Sequence, residues 1–196
     1  MNQKRWFTPQ RMMGLFIIFI MISSVGGVII SYQDTAGTTI KETYNGQTIE
    51  ITPQGLYKIK IQGQEFLFTT HPSDVEGIQI PPEFQKALES KNVQISYNAN
   101  LNSSEKAILA DRAYYLGQVL ENQRYKITRG IHETTKTTGL PDIVCMDAKI
   151  TNPVLYITMN ETIPEQPYCY TITGNNEQQI QKMTERIAYY VLGVVQ

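Results

Sequence analysis

Two cysteines, two histidines and a handful of carboxylates are the residues of this chain that could carry chemistry. Cys145 and Cys169 are its only thiols. A redox pair needs closer spacing, as in C-x-x-C, so the choice lies between one disulfide and two buried thiols. A disulfide is expected if the domain that carries them faces an oxidising compartment. Closing a loop of about 25 residues would then add about 3.5 kcal/mol through the unfolded chain. A metal site is not expected, because only His71 and His132 could join the thiols and neither has ligand spacing. Asp142, Asp147, His71 and His132 are the candidates for acid–base work in a pocket. Each also has an ordinary role: the two acids bound an expected strand over 142–146, His71 precedes Pro72 in a turn, and His132 adjoins Glu133 in a loop.

Recognisable catalytic patterns are otherwise absent. The chain has no H-E-x-x-H, no G-x-S-x-G and no glycine loop that would cradle phosphate, so no cofactor is expected. Ser103-Ser104-Glu105-Lys106 has the S-x-x-K form of penicillin-binding enzymes, and Lys136-Thr137-Thr138-Gly139 is a stretched K-T-G. The second spacing is wrong by one residue and no S-D-N follows, so a capped helix start explains the first. Asn102-Ser103-Ser104 and Asn160-Glu161-Thr162 are glycosylation sequons at the frequency chance supplies, and Asn102 also serves as a helix cap.

These residues must be positioned by a domain tied to a membrane. Residues 12–32 carry no charge and follow Lys4, Arg5 and Arg11. A helix of that length, rising about 1.5 Å per residue, spans a hydrocarbon core of about 30 Å. A cleaved secretory signal is the alternative, with an apolar run over 12–22 and small residues at Ser24 and Gly26. The apolar run resumes at Val28-Ile29-Ile30, which favours an uncleaved anchor. A pilin-like subunit is the lesser alternative, but Arg11-Met12-Met13-Gly14 is a poor processing site. Cations precede the span and none follows before Lys41, so residues 1–11 stay cytoplasmic and residues 36–196 lie outside. The chain has 196 residues and a formal charge of -1, with no run of Lys or Arg, so nucleic acid is not an expected partner.

Residues 36–80 read as a β-meander. Strands over 39–44 and 47–51 flank Asn45-Gly46, a type I′ turn signal. Tyr57-Lys58-Ile59-Lys60-Ile61 alternates apolar with polar, and a strand over 65–70 follows Gln62-Gly63. Residues 81–196 alternate strand and helix: a short helix after Pro81-Pro82, a strand over 93–97, and a helix capped by Asn102 and ending near 121. Strands over 125–129, 142–146, 154–159 and 168–173 follow, then a helix over 177–194 with Ile180, Met183, Ile187, Val191 and Val194 on one face. Asp111-Arg112 and Glu185-Arg186 occupy matching helices of two strand–loop–helix units. Neighbours in sequence do not face each other on a helix, so each acid is expected to reach elsewhere.

Asp142-Ile143-Val144-Cys145-Met146-Asp147-Ala148, Asn152-Pro153-Val154-Leu155-Tyr156-Ile157, Cys169-Tyr170-Thr171-Ile172-Thr173-Gly174 and the helix ending Glu185-Arg186-Ile187-Ala188-Tyr189-Tyr190-Val191-Leu192-Gly193 resemble uncharacterised archaeal proteins with one membrane span and a small extracytoplasmic head. The resemblance implies that topology and a cysteine pair, and no activity. The expected fold is α+β: a transmembrane helix, a β-meander, and a mixed sheet with about three helices. The expected role is a non-enzymatic envelope component that binds surface proteins or glycans. A membrane-tethered hydrolase acting on an envelope polymer is the alternative.

Overall fold

The computed structural model describes residues 39–135 and 138–195. The expected anchor at 12–32 and Lys136-Thr137 lie outside them. Among the described residues no helix is long and apolar enough to cross a membrane.

Strands β1 (Ile40–Tyr44), β2 (Gln47–Ile51), β3 (Tyr57–Ile61) and β4 (Gln64–Phe68) form an antiparallel sheet in chain order. The first turn works because Asn45 and Gly46 both take positive φ, at 47° and 78°. Alternation puts Ile49, Ile59, Phe66 and Phe68 on the buried face. On the other face Glu50 lies opposite both Lys41 and Lys58, at 2.9 and 2.7 Å. Hydrogen bonds from Lys58 and then Lys41 hold its carboxyl at about 2, well below the usual value. A depressed carboxyl stabilises the fold above its usual titration range, and this is lost as pH falls through about 2. The Glu50 carboxyl is expected to titrate near that pH by NMR, and to move up towards the ordinary range in Lys58→Ala.

The second sheet holds β5 (Asn92–Tyr97), β6 (Lys126–Arg129), β7 (Val154–Met159) and β8 (Cys169–Gly174) in the order β6-β5-β7-β8. Every pair in it is parallel. The expected meander is thus a separate antiparallel sheet, and the sheet expected to be mixed is wholly parallel among the described residues. β7 and β8 are joined by 160–168 without a helix, and that segment still returns the chain to run parallel. Helices α1 (Pro82–Leu88), α2 (Ser103–Asn122) and α3 (Glu177–Val191) complete the fold. Asn102 caps α2 by accepting from the Ser104 and Glu105 N–H groups, at 3.1 and 3.0 Å.

Strand periodicity divides the parallel sheet into two faces. Val93, Ile95, Leu155, Ile157, Tyr170 and Ile172 join the main core with α2 and α3. Beyond the helices, Phe68 of β4 stacks on Tyr189 of α3 with ring centroids 4.0 Å apart. The helices thus pack between the two sheets, and a single core includes residues of both. On the opposite face Val154, Tyr156 and Cys169 pack against Ile143 and Cys145, and the Ser96 hydroxyl donates to the Ile143 carbonyl at 2.7 Å. Gly130 allows this loop to approach, because a Cβ there would fall 2.5 Å from the Ile143 side chain.

The expected strand over 142–146 does not form. Asp142 makes one isolated parallel bridge to Ile131, and Cys145–Asp147 is a 3-10 turn. Asp147 closes that turn by accepting from the Val144 N–H at 2.9 Å. Asp142 and Asp147 therefore do not bound a strand.

The face of α3 towards the meander carries buried charge within its apolar stripe. Glu185 and Arg186 are 2% and 3% exposed. Glu185 does reach elsewhere, as expected: its carboxylate accepts from Thr69 N, Thr69 Oγ1 and Thr70 N at 3.0, 3.0 and 2.9 Å. Asp111 does not, since the Arg112 guanidinium folds back to it at 2.9 Å. Arg186 donates to the Ile78 carbonyl at 2.8 Å, and the Tyr189 hydroxyl donates to the Thr70 carbonyl at 2.6 Å. The buried Tyr170 hydroxyl has no hydrogen-bond partner among the described residues, and burial pushes it up to about 12. Tyr170→Phe removes an unsatisfied group, so unfolding should show it as stable as the parent or up to about 1 kcal/mol more so.

Candidate functional site

The carboxyl ends of parallel strands are where open α/β sheets place their sites. Here loops after β5, β6 and β7 meet in a polar cluster on the face that carries Cys145. Asn98 Nδ2 donates to Glu161 Oε2 at 3.0 Å, and Thr158 Oγ1 donates to the same oxygen at 2.8 Å. Asn100 accepts from the Thr134 N–H at 2.9 Å and donates to the His132 carbonyl at 3.3 Å. His132 Nδ1 lies 3.0 Å from Asp142 Oδ1, with both side chains partly exposed. Tyr156 sits behind this pair, 6.4 Å from the imidazole centroid. Its burial, then the Glu161 and Asp142 carboxylates, push its hydroxyl well above the ordinary tyrosine range. The cluster can hold and pass a proton at His132, but its amides and hydroxyls are spent binding the loops to one another.

The four expected pocket residues thus fall in three places. His132 and Asp142 come together. Asp147 caps its turn. His71 is on the meander side, with Nε2 2.7 Å from Glu42 Oε1 and Nδ1 2.7 Å from Ser73 Oγ. Tyr44 and Tyr57 set their rings edge-on to it at 5.6 and 5.2 Å. The same Nδ1 accepts the Ser73 N–H at 3.3 Å, which caps the 3-10 turn Pro72–Asp74. Of the sequon asparagines, Asn102 caps α2 and Asn160 follows β7 with φ 54°. Cys145 and Cys169 are joined in a disulfide that ties the 3-10 turn to β8. Among the described residues no group of three or more His, Cys, Asp or Glu side chains is placed to hold a metal ion.

A second feature has no signature in the sequence. An open groove of about 650 Å³ runs beside β8. Its lining joins Cys169, Tyr170 and Thr171 of β8 and the preceding Ile163 and Tyr168 to Ile78, Pro81, Phe84 and Met183. Its volume lies within the usual range of ligand sites, about 300–1,000 Å³. Two carboxylates, Glu83 and Glu165, line it, and among the described residues no Lys, Arg or His does. The Phe84 and Tyr170 rings, 5.5 Å apart, connect α1 to β8. These wall residues come from segments far apart in the chain, so the sequence shows the Pro81-Pro82 helix start, the β8 pattern and Met183 in the α3 stripe, but not that they meet. No protein family, curated protein or solved structure matches this chain.

Proposed function

We propose that this chain is a non-enzymatic binding component of the cell envelope, tethered by a transmembrane helix at 12–32 with its α+β domain outside. The groove beside β8 carries this reading: it offers apolar and aromatic walls in a ligand-sized space, with both histidines elsewhere. The disulfide supports the outside placement, because such bonds persist in oxidising compartments. The test is photo-crosslinking from a reactive residue placed at Met183, in the groove, against one at the exposed Tyr114, with the full chain in its own membrane. Discrete envelope adducts from the first position alone are expected. Equal labelling from both, or none, overturns the proposal.

A second reading, a membrane-tethered hydrolase, is favoured by His71 standing between the Ser73 hydroxyl and the Glu42 carboxylate. Under it a fluorophosphonate would label Ser73 in the parent and not in His71→Ala. No labelling of the parent removes that reading.

A further inference from the structure

The four outer strands of the two sheets are not equally protected. β1 carries Lys41 and Glu42, β4 carries Glu65, and β6 carries Lys126 and Arg129. Charges of this kind keep an edge from pairing with another chain. β8, Cys-Tyr-Thr-Ile-Thr-Gly, carries no charge and no proline.

Its ladder also fixes which backbone groups are free to pair. The Val154 N–H donates to Tyr168 O and the Asn160 N–H to Gly174 O, in the register Val154↔Cys169 through Met159↔Gly174. Residues 170, 172 and 174 therefore turn their N–H and C=O groups to β7. Thr171 and Thr173 turn theirs outward, and no backbone hydrogen bond reaches them from the described residues. Thr171 lines the groove.

We infer that the groove takes an extended, lysine- or arginine-bearing peptide from another protein, added as a fifth strand beside β8. The inference rests on the binding role proposed above and names its ligand. Main-chain bonds to Thr171 and Thr173 supply the pairing, and alternate apolar side chains enter the wall formed by Ile78, Phe84 and Met183. Glu83 and Glu165, with no cation among the described groove residues, select the basic side chain.

The experiment uses the full chain in detergent micelles and a synthetic eight-residue peptide alternating valine with threonine, with a lysine at each end. Fluorescence anisotropy should show binding, weakened at least tenfold when glutamates replace the lysines. Amide exchange should slow at Thr171 and Thr173 on peptide addition. Thr171→Pro removes one outward N–H without touching the β7 ladder, so it should abolish binding while the fold, read by circular dichroism, persists. If that variant fails to fold, Glu83→Lys with Glu165→Lys must lose the lysine peptide and gain the glutamate one. Unchanged exchange at Thr171 and Thr173 with the lysine peptide overturns strand addition, even where groove crosslinks at Met183 uphold the binding role. A concentration-dependent dimer that protects the same two amides overturns it in favour of a second copy of this chain.

Discussion

Glu185→Ala is expected to destabilise the domain by about 3–5 kcal/mol, since each hydrogen bond to a charged group contributes about 1.5–3 kcal/mol and stranded donors add to the loss. The carboxylate is 2% exposed and is the acceptor for two consecutive backbone amides, Thr69 and Thr70, at the end of β4. The Thr69 hydroxyl and the Gln181 amide, 3.0 and 3.3 Å away, also donate to it. No other described acceptor is bonded to those two N–H groups, so alanine leaves the buried Thr70 N–H unpaired and the Thr69 N–H, in an exposed residue, to water. A loss of that size is a large part of the about 5–15 kcal/mol by which domains are stable. Glu185→Gln should cost less, because one amide oxygen still accepts while the NH2 group opposes a donor. Denaturant unfolding of the full chain in micelles measures both, with the midpoint falling and the slope unchanged if the domain unfolds as one unit. Exchange at β3 and β4 alone would speed up if the meander instead detaches from α3. Glu50→Ala provides the contrast. Its contacts are as short, but water screens them at the surface, so the domain should lose far less.

Glu185 also marks where the sequence ceased to be readable. The stripe of Ile180, Met183, Ile187, Val191 and Val194 predicted the buried face of α3, and Ile180, Ile187 and Val194 are indeed in the core. Nothing local distinguishes an acid that points to water from one that meets two amides more than a hundred residues earlier. The meander was legible because alternation and Asn45-Gly46 are local signals. So were β7, whose apolar run suits a strand buried on both faces, and β5, where Val93 and Ile95 alternate with Gln94 and Ser96. The segment around Cys145 was misread for the same reason. Ile143, Val144 and Cys145 look like a buried strand, yet they are covered by the outer face of the sheet while the Asp147 carboxylate turns the backbone. Of the polar candidates, His132 and Asp142 are ten residues apart and meet only through the loop between them, whereas Ser73 and His71 are two apart. His71-Pro72-Ser73-Asp74 did indicate a turn, but its partner Glu42 is set by how β1 packs and could not be read from spacing. The groove beside β8 is shape, made by loops meeting, and shape has no periodicity.

Removing the Cys145–Cys169 disulfide by changing both residues to alanine should cost about 3.5 kcal/mol by the chain-entropy relation, for a bond between residues 24 apart in sequence. At the scaling of a domain this size, that lowers the melting temperature by about 7–14 °C. The change should be local before it is global. The segment around Ile143 lies on the outer face of the parallel sheet, where it covers Val154 and Tyr156 through a small cluster separate from the main core. Besides the disulfide it is held by the Ser96 hydroxyl on the Ile143 carbonyl and the Ile143 N–H on the Ile131 carbonyl, at 2.7 and 3.3 Å. Backbone exchange at 142–148 should therefore accelerate most in the double variant, while α2 and α3 keep their protection until global unfolding. Ser96→Ala added to that variant should release the same segment further, because it takes away a second side-chain tether and leaves the partly exposed His132–Asp142 contact. Peptide mapping of the native membrane fraction, with thiols blocked and no reductant, should recover Cys145 and Cys169 in one cross-linked pair. Free thiols there would take away the proposed placement's support from redox chemistry, leaving the cations ahead of residue 12 to argue it. A double variant as stable as the parent would mean that the packing of Ile143 on Val154 and Tyr156 holds the segment without the bond.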